Sequence, residues 1–472
     1  MPRSSKPAVL AIDIGTSSVR TALFDERAQR VPGSAASQVY RVRHSAEHGA
    51  ELDPTVLWQA TRKCLSQTRG LTKSPVRAIG GSGFWHSLLG LDRAGEPLTP
   101  IYTWADARCA EDAARLRERL EERAIQQRTG CMLRASFWPA KLLWLRRTQP
   151  RLFRRVTRWV SPAEWIFEKA FGARGCSHSM ASGTGLYNFA RRDWDKDLLE
   201  ISGLTTSRLG PLRDAVRLDG VTVFPAIGDG AASNLGSGAS RPGIVAINIG
   251  TSAAVRAIPA ANARLPFGLF RFVVDQKRAL LGGAVSNAGN LRAWCRRELR
   301  LPDDERALEK ALRQPSAATA RLTILPFWVS ERAPSWPEHL DGAILGVTLA
   351  STAVDLLRAT TAAVYHRLAQ ILEQLEGAIG PAKRVIVSGG ILQSPASLQI
   401  LADSLGHDLE TCLDQEASLR GAAVHVLEQL GGRIPALKRG QVFRHDRAKA
   451  NNARQARARQ IQLEELFQSR GR

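Results

Sequence analysis

The chain has 472 residues, 44% of them hydrophobic, and carries 66 Lys and Arg against 44 Asp and Glu, a formal net charge of +22. That length is too great for one hydrophobic core and fits two domains of about 200 residues each. No apolar run approaches the roughly 20 residues that cross a bilayer. The positive excess is mostly Arg spread over helix-like segments with no recognised nucleic-acid motif, so neither a membrane nor a nucleic acid is expected as a partner.

Met1 to Lys6 runs into the first strand without a cationic-then-apolar leader. The six cysteines (Cys64, Cys109, Cys131, Cys176, Cys295 and Cys412) are scattered, with no C-x-x-C and no metal spacing. They read as core thiols of a cytoplasmic protein.

In chain order, the first strong feature is Ala11-Ile12-Asp13-Ile14-Gly15-Thr16-Ser17-Ser18-Val19-Arg20. It recurs as Ala246-Ile247-Asn248-Ile249-Gly250-Thr251-Ser252, with Asp13 replaced by Asn248. A Gly-Thr-Ser turn between two apolar runs predicts a β-hairpin whose N–H groups and hydroxyls can converge on an anion. Two copies point to a duplicated domain that grips a polyphosphate in a cleft between the copies.

Asp53-Pro54 starts a helix through Trp58 and Leu65. Val76 to Gly83 reads as a buried strand with a flexible, Gly-rich exit that delivers Phe84-Trp85-His86-Ser87; a strand over Leu88 to Leu91 follows. Next comes Ile101 to Arg108, containing Trp104, Asp106 and Arg108. Aromatics that stack on C–H faces, beside a carboxylate and a guanidinium that bind hydroxyls, suit a polyhydroxylated ligand. A loop of buried aromatics and ion pairs would look similar.

Residues 109–171 are helical in pattern, Ser179 to Leu186 reads as a small-residue turn, and a helix with Leu198-Leu199 begins at Asp193 to Asp195. Phe224 to Gly236 is a strand that ends in Gly228-Asp229-Gly230, then a helix of small residues. Glycines on both sides let a ligand approach the carboxylate, and the helix start turns its positive end toward it. Asp229 as a plain N-cap is the competing reading.

Gly236 to Pro242 marks the domain boundary. Gly282 to Gly289 reads as a Gly-rich turn before the Trp294 helix, Pro326 to Pro334 as a loop, and Thr352 to Leu375 as a long amphipathic helix. Strand Arg384 to Val387 breaks into Gly389-Gly390 with Ser394 beyond, a flat backbone on which a nucleobase can lie. The helix Leu398 to Leu405 follows. From Lys438 the chain is basic; Ile461, Leu463, Leu466 and Phe467 form one apolar side of a short helix expected to dock on the body.

In their joint order these motifs resemble the FGGY carbohydrate kinases of the sugar kinase–actin–Hsp70 superfamily over nearly the whole chain. The resemblance implies an α/β fold: two duplicated ribonuclease H-like domains (the actin-like ATPase fold) with a cleft between them. Expected boundaries are 1–240 for the N-terminal domain, 241–437 for the C-terminal domain and 438–472 for a basic helical tail. It further implies ATP and Mg²⁺ as cofactors, a sugar or sugar acid as the small-molecule partner, and a homodimer as the candidate assembly. Asp229 stands where the family keeps its base, and Asp13 is expected to hold Mg²⁺ through water, as suits a hard cation bound with phosphates. Gly15, Thr16, Ser17, Ser18 and Arg20, with Gly250, Thr251 and Ser252, match the phosphate motifs. Gly389 and Gly390, with Ser394 beyond, match the adenosine motif, and Gly289 is expected to line the adenosine with them. Trp85, His86, Trp104, Asp106 and Arg108 would hold the sugar, Arg108 being a candidate for a sugar carboxylate.

His86-Ser87, Pro97 to Pro100 and Trp104-Ala105-Asp106-x-Arg108 look most like gluconokinases, whereas xylulokinases more typically carry His-Gly and Trp-Asn-Asp. The departures are Trp85 where Met is frequent, Ser330 in place of the Gly of Gly-Glu-Arg-x-Pro, and Ala362-Ala363 in place of Glu-Gly. The reaction expected is phosphorylation of D-gluconate to 6-phosphogluconate. The alternatives are a xylulose or other ketose or polyol kinase and a non-enzymatic switch of the actin or Hsp70 kind.

Overall fold

The computed structural model describes residues 8–70, 76–260, 263–314 and 316–470; the Met1 to Lys6 segment lies outside them. The chain divides into two compact units that interleave in sequence. The first comprises Met1–Gly238, Phe270–Leu280 and Glu416–Ala436; the second comprises Ala239–Leu269, Leu281–Gln415 and Leu437–Arg472. Sequence reading places single cuts at 240 and 437, whereas two short segments from the later half pack with the first unit.

In the first unit β1 (Val9–Ile14), β2 (Ser18–Phe24) and β3 (Ala36–Val39) form an antiparallel meander. Helix α1 (Pro54–Arg69) follows, its N-terminus capped by Asp53, which accepts from the Thr55 N–H. It leads to β4 (Ala78–Gly83), parallel to β1. After helices that include α2 (Trp138–Thr148), β5 (Val216–Leu218) and β6 (Val221–Gly228) complete a sheet of order β5-β6-β4-β1-β2-β3. Every residue of β1 and of β4 is buried, as central strands covered on both faces require. The glycines of β4 are packing positions rather than a flexible exit: a Cβ at Gly80 would fall 2.2 Å from the side chain of Val426. Helix α3 (Asp229–Ser237) follows β6 directly. It crosses the helix Ala417–Gln429 backbone to backbone, since a Cβ at Gly236 or at Gly421 would fall 1.7 Å from a carbonyl of the other helix. Arg420 closes the crossing by donating to the Gly236 carbonyl at 2.8 Å.

The second unit repeats this order. β7 (Ile244–Ile249), β8 (Ala253–Ala257) and β9 (Ala279–Val285) form the meander. Helix α4 (Ala353–Ile379), capped by Thr352 and Asp355, precedes β10 (Arg384–Ser388), which lies parallel to β7. Helix α5 (Pro395–Leu405), β11 (Leu409–Thr411) and β12 (Val442–Phe443) follow, giving β9-β8-β7-β10-β11-β12. Val245, Ile247, Val255, Leu368, Ile371 and Val387 centre its core.

Three expectations change. Gly282 and Gly283 lie within β9, and only Ser286 to Ala288 turns, because the glycines admit Ile371 and Leu269 against the strand. Ser179 to Ser182 is helical, in His178–Ser182, with Ser177 as its cap. The tail forms a long helix, α6 (Arg447–Arg470), whose buried side is largely polar. Gln460 and Glu464 are buried, whereas Leu466 and Phe467 are 45% and 40% exposed. The cause is Arg367 of α4, wholly buried over the Phe327 ring, which needs an anion: Glu464 takes its guanidinium at 2.8 Å. Gln460 meets His366 Nδ1 beside it at 3.0 Å. Breaking such a pair strands a buried charge, so Arg367→Ala should lower stability by about 3–5 kcal/mol in urea unfolding of the full chain; a loss within ~1 kcal/mol would mean that α6 contributes little to the second unit.

Candidate functional site

In the first unit β1, β4 and β6 are parallel and end level with one another: Ile14 pairs with Gly83, and Gly83 with Gly228. Three of the segments picked out from sequence therefore leave the same sheet edge side by side: the Gly15 to Ser17 turn, Phe84 to His86, and Asp229. The carboxyl edge of parallel strands is where ligands of open α/β sheets sit.

Asp13 is the penultimate residue of β1 and faces Arg20 on β2 and Ser82 on β4. Ser82 Oγ donates to its carboxylate at 2.5 Å and Arg20 approaches at 3.5 Å; Arg20 also pairs with Glu416 at 3.3 Å. Burial raises the Asp13 carboxyl above the ordinary range, against the lowering effect of Ser82 and Arg20. The turn beyond is tied by the Gly15 N–H to the Ser18 carbonyl and by the Tyr40 hydroxyl to the Gly15 carbonyl at 2.5 Å. Thr16 is half-buried and Ser17 exposed, while Ser18 is buried.

Trp104 Nε1 donates to Thr16 Oγ1 at 3.2 Å and joins the expected sugar loop to the expected phosphate turn. Asp106, 2% exposed, accepts from the Ala50 N–H at 3.1 Å and from Arg108. Arg108 also donates to Glu51 at 2.7 Å and lies over the Trp144 ring. Burial draws its pKa down, yet the bonds to Asp106 and Glu51 outweigh burial and hold it above the usual value. Its guanidinium thus already serves two carboxylates.

Trp85 is 5% exposed, donates to the Ser179 carbonyl at 3.0 Å and lies against the backbone of Gly183 and Gly228. The indole props the end of β6 and leaves little face for stacking on a ligand. His86 has φ of +67°, uncommon for a residue with a Cβ. Its Nδ1 meets the Gly183 carbonyl at 2.5 Å, and its half-buried ring packs on Phe137 and Phe272. Phe272 reaches this site from one of the two interleaved segments.

Asp229 is the first residue of α3; Gly228 holds the cap position, so the carboxylate is not the N-cap. One of its oxygens accepts from the Gly230 N–H at 2.7 Å, and the residue is half-buried at the positive end of the helix.

The second unit gathers its own set. Asn248 donates to Ser388 Oγ at 3.0 Å across β7 and β10, the counterpart of Asp13 and Ser82. The Gly250 N–H closes its turn on the Ser252 carbonyl at 2.9 Å, leaving Thr251 exposed. Gly289 donates to the Gly250 carbonyl at 3.0 Å. Gly389 has φ of +95°, and a Cβ there would fall 2.4 Å from the Ile249 carbonyl oxygen. Gly250, Gly289, Gly389 and Gly390 thus lie together around one turn. Ser394 is buried as the cap of α5 and donates to Glu309, so its hydroxyl is taken up within the fold.

Ser82, Tyr40, Glu51 and Glu309 escaped the sequence reading. Ser82 alone left a signal there: Ser-Gly recurs, as Ser82-Gly83 and Ser388-Gly389, at the ends of the strands parallel to β1 and β7. The other three act from distant segments and leave none. Among the described residues no group of three or more His, Cys, Asp or Glu could hold a metal ion, no helix is long and apolar enough to cross a membrane, and all six cysteines are buried.

The doubled α/β fold with mixed sheets is the actin-like ATPase fold. Its overall match to a gluconate kinase from Lactobacillus acidophilus has a TM-score of 0.89 at 23% identity, covering 97% of this chain and 98% of the other. The pattern of the N-terminal domain of the FGGY family of carbohydrate kinases matches residues 8–229, and that of the C-terminal domain residues 245–426. The chain belongs to this family, and is a sugar kinase. It is 27% identical to a gluconokinase of Bacillus subtilis over 88% of this chain and 86% of the other. It is 29% identical to a xylulose kinase of Streptomyces coelicolor over 92% and 90%. A Cβ at Gly228 would fall 1.7 Å from the Trp85 ring. Gly228→Ala should therefore shift the strand end that carries Asp229 and lower kcat by about 100-fold, with ATP affinity within threefold; near-normal turnover would show that the Trp85 prop is dispensable.

Proposed function

We propose that this kinase transfers the γ-phosphoryl group of ATP to a hydroxyl of an open-chain sugar acid, D-gluconate giving 6-phosphogluconate. The observation that carries the reading is the level ending of β1, β4 and β6, which sets a phosphate-sized turn, an aromatic-rich loop and one carboxylate on a single edge. Phosphoryl transfer needs positioning and charge neutralisation rather than covalent help, and those three parts supply it. Asp229, at the positive end of its helix, accepts the proton of the attacking hydroxyl. Thr16, Ser17, Gly250 and Thr251 take the β- and γ-phosphates. Gly289, Gly389 and Gly390 face the adenosine, where the missing side chains permit close approach. His86 and Trp104 orient the sugar.

Mg²⁺ fits the donors present. One buried carboxylate, already accepting from Ser82, suits a hydrated cation that takes most of its ligands from water and phosphate, and Asp13 would hold it so. When bound, the ion neutralises phosphate charge. In the second unit Asn248 stands at the matching position and brings no charge.

A neutral ketose such as xylulose is the second reading, and Arg108 favours it: its Nε and one terminal nitrogen are engaged by Asp106 and Glu51 before any sugar carboxylate arrives. Turnover measured across gluconate, xylulose, ribulose and glycerol separates the two. The highest kcat/KM is expected with gluconate, and a xylulose maximum would replace the first reading by the second. Asp229→Ala should lower kcat by about 10²–10⁴-fold with little change in ATP affinity; retained turnover would refute the base assignment. Asp13→Asn should shift the Mg²⁺ titration to higher concentration, and an unchanged titration would remove Asp13 from the metal.

A further inference from the structure

The segment Ser286 to Ala288, between β9 and Gly289, is held by a residue from a separate loop. Glu331 is 1% exposed. One carboxylate oxygen accepts from the Ser286 N–H at 2.5 Å and from its neighbour Arg332 N–H at 2.8 Å. The other accepts from Asn287 Nδ2 at 3.0 Å and from the Asn287 N–H at 3.4 Å. Asn287 is itself fully buried and exchanges two bonds with the Val329 backbone: Nδ2 donates to the carbonyl at 2.8 Å, and Oδ1 accepts from the N–H at 3.0 Å. Arg332 returns across the same gap, its Nε to Ser286 Oγ at 3.1 Å and a terminal nitrogen to the Val285 carbonyl at 3.1 Å. The loop is fixed from behind, because Arg367 donates to the Ala333 carbonyl at 3.0 Å while pairing with Glu464 of α6.

Every bond to Glu331 comes from a donor, and four donors on one buried carboxylate form a network with no slack. Its product is the position of the next residue, Gly289, whose N–H meets the Gly250 carbonyl of the second turn. A Cβ at Gly289 would fall 2.4 Å from that oxygen, so the two backbones are already in contact. A small shift of Ser286 and Asn287 is therefore passed to the turn itself.

We propose that Glu331 is a positioning residue for nucleotide binding: it sets Gly289 against the Gly250 turn, with α6 bracing its loop through Glu464 and Arg367. This rests on the reading of Gly250, Gly289 and Gly389 as the nucleotide contacts. Glu331 touches neither nucleotide nor sugar, so its loss should act on one substrate and not the other.

The test compares Glu331→Gln with Gly389→Ala in the full chain, measuring ATP and ADP affinity by calorimetry, sugar KM, and thermal stability. Gln keeps the shape but turns an NH₂ group toward donors, so nucleotide affinity should fall about tenfold while sugar KM stays within twofold. Gly389→Ala reports on the underlying reading, because its Cβ would clash with the Ile249 carbonyl at the same turn. If Gly389→Ala weakens the nucleotide and Glu331→Gln does not, the positioning role is wrong and the nucleotide site stands. If neither weakens it, both fall. Equal losses for nucleotide and sugar would mean a general structural defect and would also overturn the role. Should Glu331→Gln not fold, Asn287→Ser removes the Nδ2 donor and the two side-chain bonds to Val329, and leaves the backbone donors on Glu331. It must show the same selective loss of nucleotide affinity, and wild-type affinity there overturns the proposal.

Discussion

Ser82 and Asp13 face each other on two parallel strands that must pair in one register, because every residue of both is buried. A slip of one residue would bring a side chain to the places where Gly80 and Gly81 admit Val426 and Phe167, so the core fixes the register. The register then fixes the site. It brings the serine hydroxyl to the carboxylate at 2.5 Å and ends β1, β4 and β6 together, so that the turn, His86 and Asp229 emerge level. The second unit obeys the same constraint with Asn248 and Ser388. What differs is charge, a carboxylate in one half and an amide in the other.

The polar groups of the two units fall into those that face outward and those consumed by the fold. Thr16, Ser17 and Thr251 are half-buried or exposed residues on turns closed by backbone bonds, with Thr16 also accepting from Trp104. Ser394, Asp106 and Glu331 are buried and engaged, which spares neighbouring backbone from unsatisfied donors. Arg108 stands between the groups: charged, a fifth exposed, and bound by two carboxylates. An Arg so held shapes a loop through its fork of donors and through the Trp144 ring beneath it.

Tight backbone contact is the other recurring device. Gly236 and Gly421 let α3 and the helix Ala417–Gln429 touch main chain to main chain, which anchors the start of the helix that carries Asp229. Gly228 accepts the face of Trp85, and Gly389 adopts a left-handed backbone against Ile249. In sequence these glycines are alike; in the fold Gly236 and Gly421 make a crossing, Gly228 seats an indole and Gly389 makes a turn. Of the four, only Gly421 lay outside the segments that could be read in advance.

The repeated Gly-Thr-Ser turn, the Gly-Asp-Gly after an apolar strand and the Gly-Gly after another were legible because each is local: apolar period, turn chemistry and small residues lie within a few positions. They determined the doubled α/β plan, the two turns and the position of Asp229. Trp85 as a prop, Arg108 bound by Asp106 and Glu51, Ser394 as a cap, the polar seam of α6 and the clasp of Glu331 were decided by tertiary structure alone. Each depends on a partner from a distant segment, and no spacing in the chain announces which buried charge will meet which donor. The interleaving of the units has the same cause, since Phe272 and Gly421 join the first unit through contacts that exist only once the chain has folded.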